Sequence, residues 1–229
     1  TPFDFESVDF LDSLGVNVFK IASMDLVNLP LVKYISERGK PVIMSTGMST
    51  LGQIDEAVKT VRSTGNSNLI LLHCNSSYPA AKSEMNLKVI NNLRKLYNIP
   101  VGLSDHTLGI ACSIGAAALG ANILEKHFTY DKNAEGPDHM LSADPKGMKT
   151  LIDSVRTIEK AMGDGIKRPS VGESTTRLNN RKSIVALNDI NSGTVITKDM
   201  VSIKRPGMGI PPKYFNEIIG RTAKKDIVT

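Results

Sequence analysis

The sequence predicts an α/β fold: a (β/α)8 barrel, present here without its N-terminal strands, followed by a small C-terminal domain of another kind. Five short apolar runs alternate with five segments of helical periodicity, at roughly 22 to 30 residues per unit. This alternation is typical of βα repeats that build a parallel sheet. After Met162 it gives way to short strand-like runs separated by turns, which indicates that a second domain follows.

Each predicted strand is an apolar run that ends in small or polar residues. The predicted strands span residues 18–22, 41–44, 69–74, 100–103, 122–125 and, in the second domain, 183–187. The predicted helices span residues 29–38, 51–63, 86–96, 110–119 and 147–162. Because parallel strands joined by helices all end at one edge of the sheet, we expect the polar residues after the barrel strands to lie together.

The five βα units are too few to close a barrel by themselves. Five units do not close a TIM barrel of eight, and the sequence opens at Thr1 without an initiator methionine. We therefore expect an upstream portion of roughly three βα units, on the order of 100 residues, to be missing. The alternative is an open doubly wound sheet that is complete as it stands, but no glycine-rich G-x-G-x-x-G loop follows any strand.

Domain boundaries follow from the change of pattern after Met162. Residues 1–165 are predicted to form the partial barrel, 166–180 a linker, and 181–229 the second domain. The linker follows Gly163-Asp164-Gly165, which is typical of a helix end and a turn. The second domain is also expected to be cut short at its C-terminus.

Composition excludes several classes of protein. The longest apolar segment, 114–124, is interrupted by glycines and falls well short of the roughly 20 apolar residues of a membrane span. Cys74 and Cys112 are too few for a disulfide framework and are expected to stay reduced in a cytoplasmic protein. Residues 166–229 hold 12 Lys/Arg against 5 Asp/Glu, which favours either a solvated basic surface or an anionic ligand. No aromatic residues are interleaved with these charges, so nucleic acid is not an expected partner.

Two histidines stand at matching positions after consecutive predicted strands. His106 lies in Leu103-Ser104-Asp105-His106-Thr107, and His127 lies in Leu124-Glu125-Lys126-His127. If the two strands are neighbours, the imidazoles converge at the edge where barrel enzymes carry out their chemistry. Two neutral imidazoles there suit a divalent metal, with carboxylate, substrate oxygen and water in the other positions. Taken singly, His127 could equally be a structural histidine beside Phe128.

Six motifs follow one another along the barrel part of the chain. They are Phe19-Lys20-Ile21-Ala22-Ser23, Ser45-Thr46-Gly47-Met48, His73-Cys74 with Tyr78-Pro79, Gly102-Leu103-Ser104-Asp105-His106, Glu125-Lys126-His127-Phe128-Thr129 and Gly136-Pro137-Asp138-His139. Together they resemble the sialic acid synthase family, whose members condense phosphoenolpyruvate with an N-acylated hexosamine to make nine-carbon 2-keto acids. The tail, with Lys204-Arg205-Pro206-Gly207, resembles the small antifreeze-like (SAF) domain that follows the barrel in that family.

The resemblance implies an anion pocket at the strand ends. The family positions that line the phosphoenolpyruvate pocket are matched by Lys20, Ser23, Ser45, Ser76 and Ser104. Cations and hydroxyl donors of this kind bind phosphate and carboxylate groups. Some members have asparagine at the position of Ser76. Serine also caps helices and favours turns, so each hydroxyl has a purely structural alternative.

The resemblance also implies a metal and a sugar site. His106 and His127 match the family's metal-binding histidines and, with Glu125, are expected to be catalytic. The metal would be Mn²⁺ in the first instance, or else Mg²⁺ or Co²⁺, and would polarise the aldehyde oxygen of the open-chain sugar. Glu125 could orient a ligand, act as a general base or hold a sugar hydroxyl, or it could form only a salt bridge. Tyr78 and Asp138 are expected at the hexosamine, unless they serve only the loops that contain them.

Arg205 matches a family arginine that reaches from the small domain of one subunit into the barrel of its partner and contacts the N-acyl group. The resemblance therefore implies a domain-swapped homodimer. Gly207 and Gly209 would let the backbone approach its neighbours closely, so that Arg205 is presented on a tight loop.

The sugar substrate stays open. The loop Asp138-His139, with Ser142 after it, is closer to synthases that act on N-acetylmannosamine or a 2,4-diacetamido hexose than to those that make pseudaminic acid. The product would be N-acetylneuraminate or a legionaminate. Another phosphoenolpyruvate-dependent synthase on the same barrel is an alternative, and so is a non-catalytic glycan-binding or antifreeze-like module with the barrel as scaffold. The histidine pair argues against the module.

Overall fold

The chain divides into two units, Thr1–Asp164 and Gly165–Thr229, in a computed structural model that describes all 229 residues. The first unit holds a five-stranded parallel sheet whose strand order follows the chain. Its strands are β1 (Phe19–Ile21), β2 (Val42–Ser45), β3 (Leu69–Cys74), β4 (Val101–Asp105) and β5 (Leu124–Lys126). The sheet curls into half of a barrel, so the parallel βα fold predicted from the sequence is confirmed.

Helices alternate with the strands, and one more precedes them. They are α1 (Phe5–Ser13), α2 (Leu29–Ser36), α3 (Leu51–Ser63), α4 (Val89–Tyr97), α5 (Ala111–Ala118) and α6 (Pro145–Met162). The sequence does not predict α1, because Phe5 and Phe10 are exposed and only Val8 is buried, which leaves a weak helical period. The helix begins instead at a polar cap, where the Asp4 carboxylate accepts a hydrogen bond from the Ser7 amide at 2.6 Å.

The inner strands are largely buried on both faces, as in other parallel sheets that are covered by their crossover helices, whereas β5 is half-buried. Leu71 and Leu72 are consecutive residues of β3, point to opposite faces and are both fully buried. All five residues of β4 are buried, including Ser104 and Asp105. Buried polar groups need hydrogen-bond partners, and those of β4 lie at the carboxyl edge of the sheet.

Two element ends differ from the prediction for local reasons. β4 runs to Asp105 rather than ending at residue 103, because β5 pairs with it as far as the position where Asp105 faces Lys126. α4 begins at Val89 rather than near residue 86, because Asn86 has a left-handed backbone, with φ of 41°, that a helix cannot include.

The second unit combines short helices with a small antiparallel sheet. Its elements are α7 (Ser174–Asn180), β6 (Ser183–Ala186), β7 (Val201–Lys204) and α8 (Phe215–Ile218), with β6 paired to β7. Its core is formed by Ile184, Ile190, Val201 and Ala223. The predicted strand 183–187 corresponds to β6, whereas the sequence does not predict β7. α7 lies within residues 166–180, which the sequence predicts as a linker.

The longest helix, α6, has 18 residues. Its exposed side carries short-range ion pairs, Lys149 with Asp153 and Arg156 with Glu159, each at 2.8 Å. Neither α6 nor any other helix combines the length and the apolar character that crossing a bilayer requires.

Candidate active site

A cleft of about 280 Å³ opens at the carboxyl ends of β1 to β5. It gathers side chains that are far apart in sequence, because parallel strands all end at one edge of the sheet. The predicted site residues that line it are Lys20, Ser23, Ser45, Ser76, Tyr78, Ser104, His106, Glu125 and His127. It is also lined by residues to which the sequence assigns no role, Ala22, Met24, Met48 and Cys74. Asp138 lies in the loop beyond β5, and Arg205 lies in the second unit.

Serine hydroxyls form one wall of the cleft. Ser23 Oγ accepts a hydrogen bond from the Gly47 amide at 3.0 Å. A Cβ atom at Gly47 would collide with Ser76 Oγ and would lie 2.8 Å from Ser23 Oγ, so a larger residue would force these hydroxyls to turn away. Ser45 Oγ is buried and has no hydrogen-bond partner in the protein, which leaves its donor available to a ligand.

Glu125 links the first and last strands of the sheet across the cleft. Its Oε1 accepts a hydrogen bond from Ser104 Oγ at 2.6 Å, and its Oε2 lies 3.5 Å from Lys20 Nζ. Lys20 also donates to the Ile21 carbonyl at 3.2 Å. The Lys20 side chain is 19% exposed and that of Glu125 is 42% exposed, so the ammonium group is the more enclosed member of the pair.

The imidazoles of His106 and His127 lie side by side in this cleft. Their ring centroids are 5.1 Å apart and their planes cross at 78°. The Asn75 carbonyl lies 2.8 Å from His106 Nδ1, which favours a proton on Nδ1 and leaves Nε2 of the neutral ring as an acceptor. Tyr78 contacts both rings, with its centroid 4.2 Å from that of His106 and 5.6 Å from that of His127.

Burial and hydrogen bonds shift the pKa values of His106, Cys74 and His127. Burial works against the charged form of His106, but its bonds to the Cys74 thiol, 3.8 Å from Nδ1, and to the Asn75 carbonyl outweigh burial and raise its pKa. Burial likewise works against the Cys74 thiolate, but hydrogen bonds from His106 and two serine hydroxyls outweigh it and lower the pKa of the thiol. For His127, burial and the neighbouring His106 both lower the pKa.

The two histidines fit a divalent metal by their chemistry and spacing. An imidazole nitrogen binds a metal ion at about 2.0–2.1 Å, so rings with centroids 5.1 Å apart are close enough to share one ion. Asp138 Oδ2 lies 3.5 Å from His127 Nδ1, on the side where metal-bound histidines often donate a hydrogen bond to a carboxylate. No group of three or more His, Cys, Asp or Glu side chains in the chain is arranged to hold an ion, so oxygens of water or ligand would complete the coordination.

A buried ion pair lies between β4 and β5, beside the histidines. Lys126 Nζ is 3.2 Å from Asp105 Oδ2, and the two side chains are 4% and 0% exposed. Asp105 also accepts hydrogen bonds from the Thr107 amide and hydroxyl, each at 2.8 Å, and from the Ser113 hydroxyl at 2.5 Å. The sequence does not predict this burial, because lysine and aspartate are mostly exposed. The sequence holds one signal for this buried pair. A charged residue of opposite sign, Asp105 or Lys126, stands directly before each of the two histidines.

Arg205 follows β7 and is exposed on the second unit. The loop that contains it is anchored by the Gly207 amide, which donates a hydrogen bond to the Leu178 carbonyl at 2.8 Å. A Cβ atom at Gly207 would lie 2.5 Å from Cβ of Arg181, so this position requires glycine. These contacts fix the backbone beside Arg205 and leave its guanidinium at the surface.

The half-barrel and its cleft define the class of this protein, a (β/α)-barrel protein with its polar site at the carboxyl edge of the strands. The chain belongs to the NeuB family, whose model matches residues 1–167. A model of the SAF domain matches residues 181–229. The resemblance seen in the sequence motifs is therefore confirmed, as is the combination of barrel and SAF domain.

Curated relatives match nearly the whole chain. An uncharacterised protein of Methanocaldococcus jannaschii is 49% identical over 99% of this chain and 67% of its own length. The N,N'-diacetyllegionaminic acid synthase of Campylobacter jejuni is 46% identical over 99% of this chain and 68% of its own length. The pseudaminic acid synthase of Campylobacter jejuni is 37% identical over 99% of this chain and 66% of its own length. The chain thus spans about two thirds of the length of these relatives.

Solved structures show the same fold. The N-acetylneuraminic acid (sialic acid) synthetase of Leptospira borgpetersenii, solved with citrate, has a TM-score of 0.72 and 38% identity, and covers 76% of this chain and 61% of that protein. A spore coat polysaccharide biosynthesis protein of Bacillus subtilis has a TM-score of 0.67 and 32% identity, over 100% of this chain and 69% of that protein. The relatives named as synthases are enzymes of sialic acid biosynthesis and its variants.

Proposed function

We propose that this chain is a sialic acid synthase type enzyme, a transferase that forms a carbon–carbon bond. It would condense phosphoenolpyruvate with an N-acylated hexosamine and water, giving a nine-carbon 2-keto sugar acid and phosphate. The observation that carries the proposal is one cleft in which Lys20 and Ser45 adjoin the pair His106 and His127. The relatives named as synthases of sialic, legionaminic and pseudaminic acids support it.

The ammonium group and the hydroxyls at the ends of β1 to β4 suit the phosphate and carboxylate of phosphoenolpyruvate. Lys20 would supply the cation, and the hydroxyls would come from Ser23, Ser45, Ser76 and Ser104. The Ser45 hydroxyl supports this assignment best, because it is buried without a protein partner and a bound anion would satisfy it. The carboxylate of Glu125 would keep Lys20 oriented in the cleft.

The part of the cleft around the two histidines suits the sugar. His106 and His127 would hold a divalent metal, for which we propose Mn²⁺, with Mg²⁺ and Co²⁺ as alternatives. When bound, such an ion supplies Lewis-acid polarisation of a carbonyl oxygen. Tyr78, which contacts both rings, and Asp138, which lies beside His127, would border the hexosamine.

The proposed reaction balances as one condensation and one hydrolysis. The enol carbon of phosphoenolpyruvate bonds to the aldehyde carbon of the sugar, and the aldehyde oxygen takes up a proton. Water adds to the phosphate-bearing carbon and loses a proton. The hydroxyl so formed loses its proton to become the keto oxygen as the bond between that carbon and the phosphate oxygen breaks and phosphate leaves. Glu125, which contacts both Lys20 and Ser104, would move one of these protons as a general acid or base.

The assembly and location of the enzyme are part of the proposal. Arg205 would reach the cleft of a second copy of the chain and contact the N-acyl group, so the active form would be a domain-swapped homodimer. Cys74 and Cys112 are both free, which suits a cytoplasmic enzyme. Neither nucleic acid nor membrane is proposed as a partner.

The sugar is proposed to be a 2,4-diacetamido hexose, with N-acetylmannosamine as the second candidate. The relative named as an N,N'-diacetyllegionaminic acid synthase is 46% identical to this chain, against 37% for the one named as a pseudaminic acid synthase. The product would accordingly be a legionaminic acid or N-acetylneuraminate.

The test is release of phosphate from phosphoenolpyruvate, measured with each candidate sugar and with or without Mn²⁺. We expect release only when both sugar and metal are present, together with a nine-carbon product by mass spectrometry. Release without sugar would favour a phosphatase. Release with sugars that lack the N-acyl group would favour another phosphoenolpyruvate-dependent synthase. If no sugar led to release, the alternative of a non-catalytic glycan-binding module would be favoured.

A further inference from the structure

We infer that the buried pair Asp105 and Lys126 is a positioning pair, which fixes the two metal-binding histidines of the proposed enzyme relative to each other. The inference rests on the proposed function only in taking His106 and His127 as the metal ligands. Neither Asp105 nor Lys126 lines the cleft, so neither would touch substrate.

The register of β4 and β5 places the pair beside the histidines. Ser104 pairs with Glu125, and Asp105 pairs with Lys126 at the next position. Because side chains alternate between the faces of a strand, Ser104 and Glu125 point into the cleft, and Asp105 and Lys126 point away from it. His106 and His127 come one position further and line the cleft again. The ion pair therefore joins the two strands immediately before each histidine.

Lys126 also holds the backbone on both sides of His106. Its ammonium donates to the Thr107 carbonyl at 2.8 Å and lies 3.4 Å from the Asp105 carbonyl. Lys126 directly precedes His127 in the chain. Its side chain therefore connects the backbone at His127 to the backbone on either side of His106. Asp105 tightens the same turn by accepting from the Thr107 amide and hydroxyl.

The burial of this ion pair indicates that it contributes to the geometry of the histidines rather than to the stability of the fold. Both side chains are almost completely enclosed, and a well-packed apolar pair at such a place is often as stable as an ion pair. An apolar pair would have no donors for the carbonyls of Asp105 and Thr107, so it would leave the turn that carries His106 free to shift.

The experiment compares Mn²⁺ affinity with stability in four variants of the full chain. Lys126→Met and Asp105→Asn each break the pair, and the double variant D105N/K126M removes both charges and leaves none unpaired. Lys40→Met is the matched control, because Lys40 pairs with Asp12 at 2.5 Å elsewhere in the same unit. Calorimetry with Mn²⁺ alone measures affinity, and thermal unfolding measures stability.

We expect the double variant to be folded and to bind Mn²⁺ about 10- to 100-fold more weakly, the range seen when partners of metal-binding histidines are removed. The Lys40→Met control should keep wild-type affinity whatever it loses in stability. A double variant that binds Mn²⁺ as tightly as the wild type would overturn the inference and leave the pair a structural one.

A second readout needs no metal. Long-range ¹H–¹⁵N NMR spectra should show His106 of the wild type protonated at Nδ1, toward the Asn75 carbonyl, and a mixture of tautomers in the double variant. The same single tautomer in both proteins would contradict the inference even if the wild type bound no Mn²⁺. Failure of sugar-dependent phosphate release would remove the proposed synthase activity but would change neither of these readouts.

Discussion

The ammonium group of Lys20 lies 3.5 Å from the carboxylate of Glu125, although the two residues belong to the first and last strands of a five-stranded sheet. A flat sheet would hold β1 and β5 at opposite ends, about 19 Å apart at the usual strand spacing. The sheet must therefore curl enough for its two outer strands to meet through their side chains. This curvature creates the cleft and places Ser104, which donates to Glu125, in the same chain of contacts.

Replacing Glu125 by glutamine should separate its chemical role from its packing role. Glutamine keeps an acceptor for Ser104 but cannot pair with Lys20 or move a proton. We expect kcat to fall by about 10²-fold or more, the usual size of a general acid–base contribution. The melting temperature should change little, because the pair is partly exposed. Steady-state kinetics and thermal unfolding check both statements, and an unchanged kcat would leave Glu125 with an orienting role only.

Replacing Ser45 by alanine should affect ligand binding without affecting the fold. The Ser45 hydroxyl has no partner in the protein, so its removal breaks no internal hydrogen bond. A hydrogen bond to a charged ligand contributes about 1.5–3 kcal/mol, so KM for phosphoenolpyruvate should rise about 10- to 100-fold.

Ser36→Ala is the matched control for Ser45, because the Ser36 hydroxyl is buried but donates to the Val32 carbonyl at 2.7 Å. It should leave KM unchanged. An equal KM for wild type and Ser45→Ala would show that this hydroxyl does not contact the substrate.

Replacing Arg205 by alanine should raise KM for the sugar and leave KM for phosphoenolpyruvate unchanged. The guanidinium is exposed and its loop is anchored through Gly207, so the variant should fold normally. The loss of one charged hydrogen bond predicts a rise of about tenfold or more. Lys213→Ala removes another exposed cation of the same unit as a control. An unchanged constant for the sugar would exclude Arg205 from the site.

Stability should fall in acid through His73. Burial lowers the pKa of His73, and the bond to the Met85 carbonyl at 2.6 Å offsets this only in part. The unfolded chain, with an ordinary pKa of about 6.5, then binds a proton that the folded chain does not. The stabilisation is complete above about pH 6.5 and is lost as the pH falls toward the pKa of the folded state.

Urea unfolding between about pH 7.5 and 5.5 measures this contribution. The His73→Gln variant keeps a donor for the Met85 carbonyl but does not titrate, so its unfolding free energy should fall less steeply than that of the wild type. Equal slopes for the two proteins would mean that His73 titrates alike in the folded and unfolded states.

The sequence predicts best those elements that local signals define at both ends. The limits of α3 agree with prediction, because Thr50 and Gln53 form a capping box before a clear apolar period. β3 likewise agrees, since Leu69–Cys74 is apolar throughout except at His73. α1 escapes prediction because its apolar period is weak. β7 escapes it because its alternation of apolar and polar residues, Val201-Ser202-Ile203-Lys204, is only four residues long.

The same distinction applies to the site. Residues such as Lys20 and His106 can be placed from sequence, because they stand at the ends of apolar runs and all such ends share one edge. The partnership of Asp105 with Lys126 cannot, because it depends on the exact register of two strands. A shift of one strand by one residue would turn its charged side chain into the cleft and its histidine out of it.

The close passage of Gly47 beside Ser23, Ser76 and Cys74 means that one methyl group can obstruct the hydroxyl side of the cleft. In Gly47→Ala the added Cβ would collide with Ser76 Oγ and lie 2.8 Å from Ser23 Oγ and 3.1 Å from Cys74 Sγ, so the two hydroxyls would have to turn away. If these hydroxyls bind phosphoenolpyruvate, as proposed, the variant should lose affinity for phosphoenolpyruvate more than for the sugar. Because Cys74 also contacts His106, a change at residue 47 could in turn reach the histidine pair, and the thiol would then connect the two proposed substrate sites.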